Sequence, residues 1–144
     1  MKPWKCAEKQ VAKILGGRRR IRVQYSESIE DVIHPMYAIE VKYGKQIPKW
    51  VVSRCMTVNE RYILFPLEYL PRYGLAGLIS LASQWPVRVF KSKTKFIEDG
   101  LRQALSYREH GIALLCMKRP RMRGVVGCLD LDLEGQREVL NGTT

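Results

Sequence analysis

Hydrophobic residues near the start of the chain recur with the spacing of an amphipathic helix. They lie at positions i, i+4, i+7 and i+8, which are Ala7, Val11, Ile14 and Leu15. Gly16 and Gly17 follow, and glycine commonly ends a helix because it adopts the left-handed conformation without strain. We therefore expect a first helix that ends before residue 16. Over residues 18–25 apolar and polar side chains alternate instead, which predicts a half-buried strand.

Residues 31–43 predict two strands separated by a break at Pro35. In the second strand, successive side chains point to opposite faces. One face then carries Tyr37, Ile39, Val41 and Tyr43. The other carries Ala38, Glu40 and Lys42. A strand with two charged residues on one face is suited to hold functional groups at the surface of a sheet.

Residues 50–90 have a less regular pattern. Apolar segments at 58–70 and 75–82 are punctuated by Pro66, Pro71 and Gly74. We interpret both segments as helices, and we expect residues 51–90 to form a helical insertion after the strand that carries Glu40 and Lys42. A short strand is predicted at 87–90.

The C-terminal half returns to regular patterns. Apolar residues at helical spacing predict a helix over 97–105. Continuous apolar runs at 112–117 and 125–131 predict two buried strands. A basic connection, residues 118–123, joins these runs and suggests a hairpin. Together, the patterns predict one α/β domain over 1–144, with a central mixed sheet flanked by helices.

Composition narrows the class of partner. The chain of 144 residues carries 25 Lys and Arg against 14 Asp and Glu, a formal net charge of +11. Such an excess favours an anionic partner, most often nucleic acid. The four cysteines form no Cys-x-x-Cys pair, which argues against zinc and disulfide frameworks. Without a long apolar run or a signal-like start, we expect a cytoplasmic protein with no membrane partner.

Three charged residues form the main candidate for chemistry. Glu40 and Lys42 are two residues apart on one strand, so their side chains share a face. Asp31 near the start of the preceding strand can reach the same place. Clustered carboxylates repel each other unless a cation such as Mg²⁺ or Mn²⁺ compensates, and a neighbouring ammonium can orient a water molecule. Glu8 on the first helix is a further candidate ligand.

The order of these pieces resembles the archaeal and phage-type Holliday junction resolvases of the PD-(D/E)XK nuclease superfamily. The likeness is concentrated in five segments, residues 4–8, 20–26, 30–32, 38–42 and 47–50, with a weaker match in the helix over 97–109 and the apolar strand that follows it. The resemblance implies a restriction-endonuclease-like fold and a Mg²⁺-dependent homodimer. It also implies paired, symmetric cuts across a four-way DNA junction, with no small-molecule substrate.

Functional residues can be carried over from that resemblance one at a time. Asp31 and Glu40 match the metal-binding carboxylates, with the backbone carbonyl of Val41 as a further ligand. Lys42 matches the catalytic lysine, and Glu8 the helix glutamate. Ser26 matches a serine that contacts the scissile phosphate, although Ser28 competes for that role. The expected DNA-binding residues are Arg18, Arg19, Arg20, Arg22, Lys45 and Lys49.

Other interpretations of the chain stay open. A different nuclease of the same superfamily could act on duplex or flapped DNA. A non-catalytic DNA-binding protein would also explain the charge, with Glu40 and Lys42 as a surface pair. The apolar segments at 58–70 and 75–82 exceed what one small domain is expected to bury, and this surplus favours a homodimer interface.

Overall fold

The computed structural model describes residues 2–19, 31–53, 57–59, 61–87, 94–108 and 111–131. The elements follow one another as α1 (Pro3–Leu15), β1 (Arg18–Arg19), β2 (Val32–Ile33), β3 (Tyr37–Tyr43), α2 (Lys49–Ser53), β4 (Thr57–Asn59), β5 (Tyr62–Pro66), α3 (Tyr69–Ala82), α4 (Thr94–Leu105), β6 (Ile112–Lys118) and β7 (Val126–Asp130). The strands form one sheet in the order β1-β2-β3-β6-β7-β5-β4. Among the described strands, β3 and β6 pair in parallel and the other neighbours are antiparallel. The predicted α/β class with a mixed sheet is therefore confirmed.

The first helix begins and ends as its sequence indicates. Pro3 occupies the first turn, where its missing N–H costs no hydrogen bond. Gly16 adopts the left-handed conformation (φ 70°), and the following N–H of Gly17 donates to the carbonyl of Ala12. The apolar side of α1 packs on β1, β2 and β3. This helix covers one end of the sheet.

The two faces of the sheet have separate cores. One core joins α1 and α3 to the face that contains Ile39 and Leu114. The other joins α2 and α4 to the face that contains Leu115. Because neighbouring residues of a strand point to opposite faces, Glu40 belongs to the face covered by α4. The predicted alternation along β3 is confirmed.

Helix α4 and the strands after it also agree with the sequence patterns. Ile97, Leu101 and Ala104 bury the inner side of α4. β6 and β7 pair as an antiparallel hairpin, with Met117 opposite Val126. Residues 112–117 are all buried because helices cover both faces of this central strand. That double cover explains why the run shows no polar alternation.

The prediction of a helical insertion over 51–90 is wrong for residues 57–59 and 62–66, which are strands. β4 and β5 extend the sheet as an antiparallel pair, and β5 pairs with β7. Residues 62–65 are buried on both faces, and a short apolar run of this kind has the same pattern in a strand and in a buried helix. The segment at 75–82 is helical, within α3, which is kinked at Gly74.

Most of the large apolar side chains described in the segments 58–70 and 75–82 are buried inside the protein. Leu64 and Phe65 are in the two cores of the sheet, and α3 buries Leu70, Leu75 and Leu78. The described apolar residues of these segments therefore give no separate support to a homodimer interface, and the homodimer stays a prediction.

Several predictions fall outside the described residues. They include most of the strand over 18–25, the strand at 88–90 beyond Val87, and Cys55. Of the described cysteines, Cys116 and Cys128 are buried free thiols and Cys6 is exposed.

Candidate active site

Asp31 and Glu40 lie across from each other on neighbouring strands. β2 and β3 are antiparallel, with Ile33 opposite Ala38. When this register is continued toward the start of β2, Asp31 stands opposite Glu40. Side chains directly opposite in an antiparallel pair share a face, with about 5 Å between their Cβ atoms. The structure thus brings together the two carboxylates that the sequence predicted as a pair.

The carboxylate of Glu40 is buried, with 5% of the residue exposed. One oxygen, Oε1, accepts a hydrogen bond from the backbone N–H of Val41 at 3.1 Å. The other, Oε2, accepts one from the hydroxyl of Tyr107 at 2.5 Å. Burial raises the pKa of Glu40, the Tyr107 hydrogen bond and the Lys42 charge oppose the rise, and the Asp31 charge adds to it. A nearby cation stabilises the ionised form of a carboxylate in this position.

Lys42 is connected to the Glu40 carboxylate through a side chain of α4. Its ammonium donates to Oε1 of Gln103 at 3.0 Å, and Nε2 of Gln103 donates to the hydroxyl of Tyr107 at 3.0 Å. A chain of hydrogen bonds therefore runs from Lys42 through Gln103 and Tyr107 to Glu40. Burial, followed by the Glu40 carboxylate, raises the pKa of Tyr107, so its hydroxyl remains a donor at neutral pH.

Gln103 and Tyr107 were not among the site residues predicted from the sequence. Their spacing of four residues places them on one side of a helical segment, and this was an available signal. The spacing alone did not reveal their target, because α4 meets β3 only in the folded sheet.

Arg108 stabilises the turn between β2 and β3. Its guanidinium donates to the carbonyl oxygens of His34 at 2.5 Å, Pro35 at 3.2 Å and Tyr37 at 3.2 Å. These three contacts hold the connection that sets the β2–β3 register. Since Tyr107 is the preceding residue, the end of α4 positions both Glu40 and the turn that leads to it.

Glu8 is buried in a different environment. It lies on α1, and its Oε2 is 3.5 Å from Nε of Arg19. Arg19 is the strand partner of Val32, which belongs to the core beneath α1. Glu8 is thus placed on the α1 side of the sheet, whereas Glu40 faces α4. The structure does not bring Glu8 to the other two carboxylates, and its role as a metal ligand stays a prediction.

The donor set at Asp31 and Glu40 fits Mg²⁺ or Mn²⁺ rather than a softer metal. Magnesium often takes one or two protein carboxylates and completes its octahedral shell with water and phosphate oxygens. In the described ranges, no group of three or more His, Cys, Asp or Glu side chains is arranged to hold a metal ion. The residues that would hold it are Asp31, Glu40 and the carbonyl of Val41.

The remaining candidate residues are distributed around this centre. Ser26, Ser28, Arg20 and Arg22 are outside the described residues. Arg18 is exposed on β1, while the charge of Arg19 is paired with Glu8. Lys45 and Lys49 are exposed just after β3.

Comparisons with protein-family models, curated proteins and solved structures found no match to the chain. None of the helices in the described ranges is long and apolar enough to cross a bilayer.

Proposed function

We propose that the chain is a metal-dependent endodeoxyribonuclease with a restriction-endonuclease-like core. The observation that carries this proposal is the pairing of Asp31 with Glu40 on one face of the sheet, with Lys42 on the same face. The link from Lys42 through Gln103 and Tyr107 to Glu40 supports it. A surface pair of charges would need neither the burial of Glu40 nor these partners.

Each residue has a task in phosphodiester hydrolysis. When bound, Mg²⁺ would supply positive charge beside the scissile phosphate and make water a better nucleophile. Asp31 and Glu40 would hold this ion, and Tyr107 fixes the orientation of the Glu40 carboxylate. Lys42, positioned by Gln103, orients the attacking water and stabilises the negative charge that develops on the phosphate. The products are a 5′-phosphate and a 3′-hydroxyl.

The proposed substrate is branched DNA, with the four-way junction as the first candidate. The net charge of +11 and the exposed Arg18, Lys45 and Lys49 suit a phosphate backbone. The choice of a junction, and of a homodimer that makes paired cuts, follows the resemblance stated above. A monomeric mass by light scattering at micromolar concentration would contradict the dimer.

The test is cleavage of a labelled four-way junction and a matched duplex, with Mg²⁺ or with EDTA. We expect the wild-type protein to make paired, metal-dependent cuts in the junction, and Asp31→Asn to bind the junction without cutting it. Asp99→Asn, which removes an exposed carboxylate from α4, is the matched control and should cut normally.

The other outcomes discriminate between alternatives. Equal cutting of duplex would replace the junction resolvase with a general nuclease of the same superfamily. Tight binding without cutting by the wild-type protein, at any divalent metal, would overturn the enzyme and favour a non-catalytic DNA-binding protein.

A further inference from the structure

A cleft of about 670 Å³ opens beyond the carboxyl end of β3. Residues 45–50 form one side, and Phe96 of α4 and Arg119 after β6 complete it. This volume is in the range of clefts that hold small organic groups. The nuclease proposal assigns no role to the cleft itself.

The lining combines cations with aromatic rings. Lys45 and Lys49 are exposed, and Trp50 and Phe96 are half-buried against the core beneath α4. The described residues that line the cleft include no Asp or Glu. Positive groups that follow a phosphate backbone, together with aromatic side chains on which bases stack, are typical of sites for single-stranded nucleic acid.

Arg119 stabilises the side of the cleft formed by residues 45–50, and its own positive charge is not neutralised by these contacts. Its guanidinium donates to the carbonyl oxygen of Lys45 at 2.9 Å and to that of Ile47. These bonds fix the path of the chain after β3. Because carbonyl oxygens carry no net charge, the guanidinium adds a full positive charge to the cleft.

The cleft lies close to the proposed cutting centre. Phe96 precedes Gln103 by seven residues on α4, which is two helical turns or about 10 Å. Lys45 follows Lys42 by three residues, again about 10 Å at most in an extended chain. A stacked DNA strand rises about 3.4 Å per nucleotide, so this distance corresponds to about three nucleotides.

We propose that the cleft binds an unstacked nucleotide of the DNA strand, about three nucleotides from the cut. The inference rests on the proposed nuclease function, because it takes Asp31 and Glu40 as the cutting centre. A continuous duplex keeps its bases stacked and presents none to the cleft. A branch point interrupts the continuous stack, so a base beside it leaves the stack at a lower cost, and the cleft favours branched DNA in which bases can unpair.

The experiment compares two labelled single strands of equal length, an oligothymidylate and an abasic backbone, by fluorescence anisotropy in EDTA. The two probes carry the same phosphates and differ only in their bases. We expect the wild-type protein to bind the oligothymidylate about tenfold more tightly, since each stacked base contributes measurably to affinity. Equal affinity for the two probes would overturn the proposal.

Variants locate the effect in the cleft. Phe96→Leu should remove most of the preference for bases, whereas Lys49→Ala should weaken binding of both probes and leave the preference intact. Lys9→Ala removes an exposed charge from α1, which packs on the face of the sheet opposite Phe96, and should bind both probes as the wild-type protein does. A preference that survives Phe96→Leu would place base binding elsewhere and contradict the proposal.

The proposal of a base-binding cleft and the proposal of nuclease activity can be refuted separately. If the protein prefers bases but cuts no DNA, the nuclease is refuted and the binding site is retained. If it cuts DNA and binds both probes equally, the nuclease is retained and the cleft is refuted.

Discussion

The hydroxyl of Tyr107 offers the sharpest test of the site, because this one atom joins the turn after α4 to Glu40. Tyr107→Phe removes that hydroxyl and leaves the ring. In the wild-type protein, the hydroxyl donates to Oε2 of Glu40 at 2.5 Å and lowers the pKa of this carboxyl. The substitution therefore destabilises the ionised form of Glu40, the form that binds a metal ion.

The size of the effect follows from the charge of the acceptor. A hydrogen bond to a charged group contributes about 1.5–3 kcal/mol. Tyr107 is half-buried, so the lower end applies, and about 1.5 kcal/mol corresponds to about a tenfold change in an equilibrium constant. We expect the Mg²⁺ concentration for half-maximal cleavage to rise about tenfold by this conversion.

Two assays measure this change. Cleavage rates at increasing Mg²⁺ give the apparent affinity, and calorimetric titration with Mn²⁺ gives metal binding without reference to activity. The acid side of the pH profile should move to higher pH, because Glu40 loses a contact that lowers its pKa. Tyr43→Phe, which removes a hydroxyl from the opposite face of β3, is the matched control. Unchanged metal affinity and an unchanged pH profile in Tyr107→Phe would refute the reasoning.

Two further predictions concern stability. Because the pKa of Glu40 is raised in the folded protein, ionisation of this carboxyl removes stability as the pH rises through that raised value. Glu40→Gln, which stays neutral, should therefore melt at a higher temperature than the wild-type protein at pH 7 in EDTA and match it below about pH 4; an equal melting temperature at pH 7 would contradict this. Leu101 is 1% exposed beneath α4, so Leu101→Ala should lower the free energy of unfolding in urea by about 2–5 kcal/mol. A loss under about 1 kcal/mol would show that α4 does not bury this side chain against the sheet.

The sequence predicted the strand half of the site and missed the helix half. Asp31, Glu40 and Lys42 follow from local rules, since alternation along a strand and a short antiparallel connection place them together. Gln103 and Tyr107 depend on where α4 packs, and this is set by contacts between distant parts of the chain. No local pattern in 94–108 indicates β3 as the neighbour.

The wrong helix prediction over 62–65 and the unexpected surroundings of Glu8 have a similar physical origin. Residues 62–65 are covered on both faces, so the alternation that identifies a strand is absent. Glu8 has the helical position of a candidate ligand, but the helix packs on the other face of the sheet and pairs Glu8 with Arg19. In both cases the local sequence pattern concerns only the residue's own segment of chain. The packing of distant helices and strands determines which residues surround it.

The parallel pairing of β3 with β6 has a consequence for how the protein folds. Tyr37 is opposite Ile112, so this pairing closes a loop of about 75 residues. Contacts between such distant segments form slowly, because the chain loses entropy before it gains the contact energy. Glu40 and Lys42 lie on β3, at the start of this loop. Gln103 and Tyr107 lie shortly before β6, at its end. The hydrogen-bond chain between them therefore depends on contacts between segments far apart in the sequence, and neither segment can form it alone.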